Sequence, residues 1–373
     1  MLKGARISVI GAGIGGLAVA AALARRGARV VVHEQASRIS EVGAGLQISP
    51  NGAAVLGALG LQDRLLAEDV QSRAVELRDY RRGGRVLRLD IARFHKGHPF
   101  VMIHRARLIG MLEDAARAAG VQVILGQRVW PGELEADLVI GADGAKSAVR
   151  EVLNAGSVAA FTGQVAWRAL IRDEAVPEAH VYMGPGRHLV TYPLAEGWRN
   201  IVAVQEREAW AEEGWDHDDD PDNLRAAFAD FAPQVRGWLE KVEQVKLWGL
   251  FRHPVAPVWQ DGRLVLLGDA AHPTLPFLAQ GANLALEDSW VLADCLETPS
   301  QADALERYQA LRAPRVRRAI EAANANARNY HLRNPLIRVA AYSALRLGGA
   351  LLPRAPLARF AWLYDHDVTE ARP

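Results

Sequence analysis

An acid at the end of a strand can accept hydrogen bonds from sugar hydroxyls, and a glycine-rich helix start offers unpaired backbone N–H groups to an electron-rich ligand. Residues 262–292 (GRLVLLGDAAHPTLPFLAQGANLALEDSWVL) hold both features. The apolar run 264–267 reads as a strand ending in Gly268-Asp269; after a loop punctuated by proline, Gly281-Ala282-Asn283 opens an amphipathic helix. A second set stands at 6–34: strand-like RISVI, then Gly11-Ala12-Gly13-Ile14-Gly15-Gly16, an apolar helix over 17–26, and a second strand over 29–33 that closes on Glu34. This is G-x-G-x-x-G between strand and helix with an acid about 20 residues on, the pattern of a dinucleotide site. Gly11 permits the tight turn, Gly13 lets the backbone approach a pyrophosphate, Gly16 lets helix and strand pack closely, and Glu34 would accept from the adenosine ribose. A third turn, Gly141-Ala142-Asp143-Gly144 with Ser147 and Arg150, again puts an acid between strand and helix, although a helix cap accounts for Asp143 as well. The first motif alone does not choose FAD over NAD.

These turns need elements to hold them. Residues 38–51 read as a loop whose Gly43 and Gly45 suggest close backbone approach to a ligand, and 51–66 as a helix capped by Asn51. Alternation over 75–89, interrupted by Arg81-Arg82-Gly83-Gly84, predicts a hairpin. Arg105 stands at the start of a helix over 106–119, where a guanidinium could meet a pyrophosphate or flavin edge. Residues 121–125 and 136–140 read as further strands. Between 161 and 250 the pattern changes to strands of a mainly antiparallel sheet (165–171, 180–183, 189–192, 200–205 and 245–250) with a helix over 223–239; this layer is where a substrate pocket is expected. A long helix rich in Arg and Ala is predicted over 302–329. The apolar, arginine-dotted stretch 334–360, broken at Gly348-Gly349, is expected to pack on the body or a partner subunit rather than on a membrane surface.

Composition narrows the function classes. The 373 residues are 50% hydrophobic and 23% charged, enough for a sizeable core, and a formal net charge of +1 gives no field favouring nucleic acid. The single cysteine, Cys295, lies in an apolar helical pattern and reads as a core residue; one cysteine allows neither a disulfide nor a thiol redox pair within the chain. The acidic run from Asp216 to Asp222 reads as solvated, and no metal site is expected. With no leader-like pattern and no apolar run of about 18 residues, the expectation is a soluble cytoplasmic protein.

Taken together, the glycine motif with Glu34, the Gly141–Gly144 turn and Gly268-Asp269-Ala270-Ala271-His272-Pro273 resemble, in this order, the single-component FAD-dependent aromatic hydroxylases. Within that family the chain is most similar to the salicylate, 3-hydroxybenzoate and 6-hydroxynicotinate hydroxylases, through Gly43-Ala44-Gly45-Leu46-Gln47, Ile103-His104-Arg105, residues 187–194 (RHLVTYPL) and Trp362-Leu363-Tyr364-Asp365. The resemblance selects FAD and implies an α/β fold. A Rossmann-type FAD-binding domain (1–72, 96–160, 251–300) would be interleaved with a mainly antiparallel-sheet substrate domain (73–95, 161–250), followed by C-terminal helices (301–373). It implies that Glu34 and Gln35 bind the AMP part, with Gly15 at the phosphates and Val129 near the adenine. Arg105 and Asp269 would hold the ribityl and pyrophosphate region, Asp143 would serve both FAD and NAD(P)H, and Gly281, Ala282 and Asn283 would lie beside the isoalloxazine. Gln47 would lie on the flavin's other side, with His188 and Tyr192 lining the substrate pocket. Arg107 and Pro276 depart from residues common in relatives.

The implied reaction uses NADH or NADPH to reduce FAD and O2 to form a C4a-hydroperoxide, whose distal oxygen passes to an electron-rich ring; the flavin supplies this chemistry. The protein must deprotonate a phenol, and a histidine suits that near neutral pH, so His188 is the expected base with Tyr192 orienting. His272 is expected to be structural. Two other functions stay open on sequence: a same-fold monooxygenase of a larger apolar substrate such as a polyketide or quinone precursor, and a non-catalytic flavin-binding protein. The expected partners are a small aromatic substrate, O2 and NAD(P)H, with a second copy of the chain as a candidate.

Overall fold

The computed structural model describes residues 2–39, 45–95, 97–208, 210 and 217–370. The apolar runs at the three glycine turns form one five-stranded parallel sheet, in the order Leu264–Leu266, Leu138–Gly141, Arg6–Ile10, Arg29–His33 and Gln122–Ile124. Parallel strands buried on both faces are near-continuous in Val, Ile and Leu, as these are. The helix Ile14–Arg25 follows the first strand and is buried from Gly16 through Leu23. Its alanines leave room for close packing, and it contacts both Arg105–Ala118 and Gly281–Cys295. All three glycine turns thus open at the carboxyl ends of neighbouring strands, where ligands bind in open α/β sheets.

The second layer is an eight-stranded sheet. It is antiparallel except where Glu178–Gly184 runs parallel to Ala74–Asp79. Side chains alternate across it. Trp167 faces Phe228, Phe231 and Trp238 on one side, while its neighbour Ala166, with Val204 and Trp248, faces Phe277, Ala323 and Ala327 on the other. The helix Gln301–Tyr330 is 30 residues long, so it spans about 45 Å. At one end the Tyr308 hydroxyl donates to Leu266 O of the parallel sheet; at the other, Ala323 and Ala327 pack on the second sheet. Cys295 is buried, as its apolar setting predicts. No helix of the described residues is long and apolar enough to cross a membrane.

The structure corrects several expectations. Gly45–Ile48 is a strand, not a loop, because Val101–His104 pairs with it; Gly43 lies outside the described residues. The helix expected over 51–66 is two, Pro50–Ala58 and Gln62–Glu68, broken where Gly60 takes φ +73°. Ser49, not Asn51, occupies the cap position. The helix expected over 223–239 also splits, into Pro221–Ala227 and Pro233–Leu239, since Pro233 fits a first turn and not a helix interior. In the acidic run, Asp216 lies outside the described residues, His217–Asp219 adds an edge strand, Asp219 accepts from Trp167 Nε1 at 2.6 Å, and Asp220 caps a helix. The helix Pro335–Leu351 runs through Gly348-Gly349 without a break. Tyr342 anchors it to the body, donating to Met183 O, while Leu336, Ile337, Val339 and Leu351 are exposed.

Candidate active site

One cleft of about 540 Å³ runs from the glycine-rich turn, between the two sheets, to the inner strands of the second sheet. At its outer end the glycines have separate tasks. Gly11 has φ +104°, and a Cβ there would lie 2.4 Å from Ala142 O, so the turns at Gly11 and Ala142 are pressed together. A Cβ on Gly16 would sit 1.9 Å from Gly11 O; Gly16 closes the helix onto the turn and does not itself line the cleft. Gly13 lines the cleft with open space where its Cβ would point, which is what a phosphate drawn up to the backbone needs. Glu34 accepts from Ala12 N with one carboxylate oxygen and from Ala36 N with the other, both at 2.9 Å, so its position is fixed beside Gln35 and Val129.

Arg105, Asp143 and Asp269 all line the cleft, and Arg105 is near enough to Asp269 to act on its charge. Asp143 accepts from Ala148 N at 2.7 Å and so supports the start of the helix Ala148–Leu153, whose cap residue is Ser147, accepting from Arg150 N at 2.9 Å. Burial pushes its carboxyl up, against the hydrogen bonds from Ser147 and the backbone. Asp269 lines the cleft and is exposed there; the protein crowded around it pushes its carboxyl up, while His272, Arg105 and His253 pull it down. Gly281 and Ala282 line the wall beside it, and a Cβ on Gly281 would approach Thr274 Oγ1 to 2.8 Å. Asn283 does not line the cleft. Its carboxamide is wholly buried and ties three segments together: it accepts from Ser49 N at 3.0 Å and donates to Gln47 O at 3.1 Å and Ala279 O at 2.8 Å. Ala279, at φ +53°, is a non-glycine residue in the left-handed region, a conformation that costs about 1–2 kcal/mol and that this hydrogen bond helps to hold.

Gln47, His188 and Tyr192 all line the cleft, and Arg168 and Trp248 line it as well. The Arg168 guanidinium lies 4.7 Å over the Trp248 ring. Tyr192 is buried; its hydroxyl is pushed up by burial and pulled down by Arg168 and by a hydrogen bond to Asn200. Asn200 Oδ1 in turn accepts from Gly45 N at 2.9 Å, and a Cβ on Gly45 would come within 2.8 Å of the Tyr192 ring. The glycine singled out in the sequence therefore makes room for a pocket residue. His188 is buried, with Nδ1 2.7 Å from His331 Nε2, and burial followed by the charge of His331 holds its pKa well below the usual histidine range.

Sequence reasoning missed three features. Arg168 had a legible signal, a lone charge within the apolar strand run 165–171. His331 and Glu206 had none, because 125 residues separate them. Behind the Gly268-Asp269 turn, Asp288 accepts from Gly268 N, His272 and Arg312, while Glu287 accepts from Asn51, Arg312 and Arg315. His272 is thus a buried structural residue, 2.5 Å from Asp288, in keeping with its expected role. Among the described residues one grouping, Glu76, Glu178 and His180, has metal-ligand spacing, but Arg78 and Arg88 already neutralise its carboxylates.

A parallel sheet whose strand ends carry a glycine-rich turn, an acid after the second strand and a facing helix N-terminus defines a dinucleotide-binding fold. The open space at Gly13, the fixed Glu34 carboxylate and the Arg105–Asp269 pair all fit FAD. The FAD binding domain family matches residues 5–132 and 131–323, and the chain belongs to that family of FAD-dependent monooxygenases. It is 37% identical to the 3-amino-4-hydroxybenzoate 2-monooxygenase of Streptomyces cremeus, over 88% of each chain. It is 34% identical to the 3-hydroxybenzoate 6-hydroxylase of Polaromonas naphthalenivorans, over 87% of this chain and 88% of that one. A solved salicylate hydroxylase in complex with its substrate superposes with a TM-score of 0.80 at 25% identity, covering 98% of this chain and 96% of that one.

Proposed function

We propose that the protein hydroxylates a small phenolic or hydroxy-heteroaromatic acid, using FAD, O2 and NADH or NADPH. The carrying observation is the chemistry of the inner cleft. Arg168 supplies a fixed cation for a carboxylate, His188 an imidazole for a phenol, and Trp248 with the nearby aliphatic strands a flat apolar wall for one ring. That the relatives act on hydroxybenzoates supports the same substrate class. In this reading Gly11, Gly13, Gly15, Glu34, Gln35 and Val129 hold the AMP and pyrophosphate. Arg105, Asp143 and Asp269 hold the ribityl chain and phosphates. The backbone of Gly281 and Ala282 faces the flavin's pyrimidine edge, where helix N–H groups stabilise negative charge. Gly16 and Asn283 serve the cofactor indirectly, by shaping the turn and the wall. When bound, FAD supplies reduction by the nicotinamide and oxygen transfer. The chain itself positions the ring, withdraws the phenolic proton at His188 and excludes water. The parallel-sheet layer (1–72, 96–160, 251–300) is the cofactor unit, the second sheet (73–95, 161–250) the substrate unit, and the cytoplasm the proposed site of action.

The test is NADH and NADPH oxidation by the FAD-loaded protein with salicylate, 3- and 4-hydroxybenzoate, 3-amino-4-hydroxybenzoate and 6-hydroxynicotinate, while hydrogen peroxide is followed. One acid should accelerate oxidation without stoichiometric peroxide. Acceleration by none of them, with FAD still bound, would remove the small-aromatic-acid reading.

A further inference from the structure

His188 reaches beyond the cleft that it lines. Its Nδ1 meets His331 Nε2 at 2.7 Å, and His331 Nδ1 meets Glu206 Oε1 at 2.9 Å. His331 and Glu206 line a second cavity, of about 350 Å³, whose rim carries Arg333 with a largely exposed side chain. Arg333 Nε donates to Glu206 Oε2 at 2.9 Å. These groups come from three places: His188 from the strand Arg187–Leu194, Glu206 from the end of Trp198–Glu206, and His331 from the residue after the long helix.

We propose that His188, His331 and Glu206 form a proton relay that connects the inner end of the cleft to solvent at the second cavity. It rests on the reading of the cleft as a phenol-binding site. The hydrogen-bond order dictates the tautomers. A carboxylate only accepts, so His331 Nδ1 carries a proton towards Glu206. In neutral His331, Nε2 is then an acceptor, so His188 Nδ1 must be the donor between the two rings. That leaves the lone pair of His188 on Nε2, the nitrogen not engaged by His331. A phenol in the cleft can give its proton to His188 Nε2 while His188 Nδ1–H passes to His331 Nε2 and His331 Nδ1–H passes to Glu206 and on to water. The phenol becomes a phenolate and each ring stays neutral. The reverse sequence returns a proton to the cleft.

The surroundings favour neutral rings. The other groups facing the chain are Gln164 Nε2, 3.4 Å from His331 Nδ1, the rings of Tyr330 and Phe277 against His188, and Arg252 and Arg328 on the second cavity. With Arg333 they surround the outer end with positive charge, which keeps Glu206 ionised. Burial pushes that carboxyl up, but the Arg333 and His331 hydrogen bonds and charges bring it below the usual range. Burial also lowers His331, against the opposing pull of Glu206. A histidine whose cationic form is disfavoured is a poor terminal base, but a suitable carrier.

The experiment uses the oxidised, FAD-loaded protein with 4-hydroxy-3-nitrobenzoate, a carboxylated phenol whose phenolate absorbs in the visible. After a jump from acidic to neutral pH, bound probe should ionise rapidly in the wild type. In His331→Leu and Glu206→Gln it should ionise about 100-fold more slowly, with probe affinity and FAD content unchanged. Equal rates in all three proteins would overturn the relay and leave the hydroxylase reading standing. Failure of the probe to bind the wild type would overturn both. Where a variant fails to fold, ¹⁵N NMR of the wild-type histidines decides: protonated Nδ1 on both His188 and His331 is expected, and a protonated Nε2 on neutral His188 would exclude the relay.

Discussion

Arg168 is the side chain on which the proposed substrate class turns. It projects from the central strand Ala160–Arg172 into a cleft whose nearby walls are apolar, and stacking on Trp248 fixes its direction. A guanidinium so restrained loses little freedom on meeting a carboxylate. Arg168→Met should therefore weaken binding of the acid substrate by about 1.5–3 kcal/mol, the range for hydrogen bonds to charged groups, while FAD affinity stays unchanged. Titration of the flavin absorbance with the acid checks this, and retained affinity would place the carboxylate elsewhere. Arg107 illustrates the opposite case. It departs from the family pattern, yet lies on the surface, where it bonds Glu68 O at 3.0 Å and ties a helix start to the preceding segment.

At the scale of elements, the helix Gly281–Cys295 is the clasp of the site. Its first turn faces the cleft through Gly281 and Ala282, and its third residue, Asn283, holds the strand Gly45–Ile48, the start of Pro50–Ala58 and the strained Ala279. The fit is tight: a Cβ on Gly52 would lie 2.2 Å from Asn283 Oδ1. Asn283→Ala removes three hydrogen bonds and leaves Ser49 N buried without its acceptor, so it should cost about 2–4 kcal/mol of stability. It should also loosen FAD, because Gln47 and Ala279 both border the cleft. Thermal unfolding and flavin release would register this; an unchanged melting temperature would show that Asn283 is not the clasp.

Across the whole molecule, the long helix joins both layers through charge as well as packing. Arg312 is buried, with Nε 2.6 Å from Asp288 and Nη1 2.6 Å from Glu287, which places a cation directly behind the Gly268-Asp269 turn. Arg312→Met leaves two buried carboxylates short of a partner and should cost about 3–5 kcal/mol. The network also sets acid stability. Burial pushes Asp288 up, but His272 and Arg312 more than offset this and hold it at about 2. Its folded pKa lies below the unfolded value of roughly 3.9, so its contribution is complete above that value and is lost as pH falls towards about 2. Asp288→Asn should remove the stability lost over that window. Denaturant titrations at several acidic pH values would show a flatter dependence than in the wild type; the same dependence would exclude Asp288 as its source.

The parallel sheet and its glycine turns were legible in the sequence because short-range physics encodes them, and the three turns taken in order carried the resemblance that marks the FAD family. A glycine turn, its strand and its helix lie within about thirty residues, and period-two alternation marks a strand wherever it pairs. Pairing partners and buried charge lie beyond that range. Gly45–Ile48 is a strand only because Val101–His104 lies beside it, and Asn51 gives up the cap role to bind Glu287, 236 residues away. Arg312, His331 and Glu206 look like surface residues of a helix, a helix end and a strand end until the second sheet folds against the first. The sequence thus determined the FAD-binding family and the glycine turns at the ends of the parallel strands. Tertiary structure alone decided how the inner end of the cleft is charged and clasped, because those interactions form only between segments far apart in the chain.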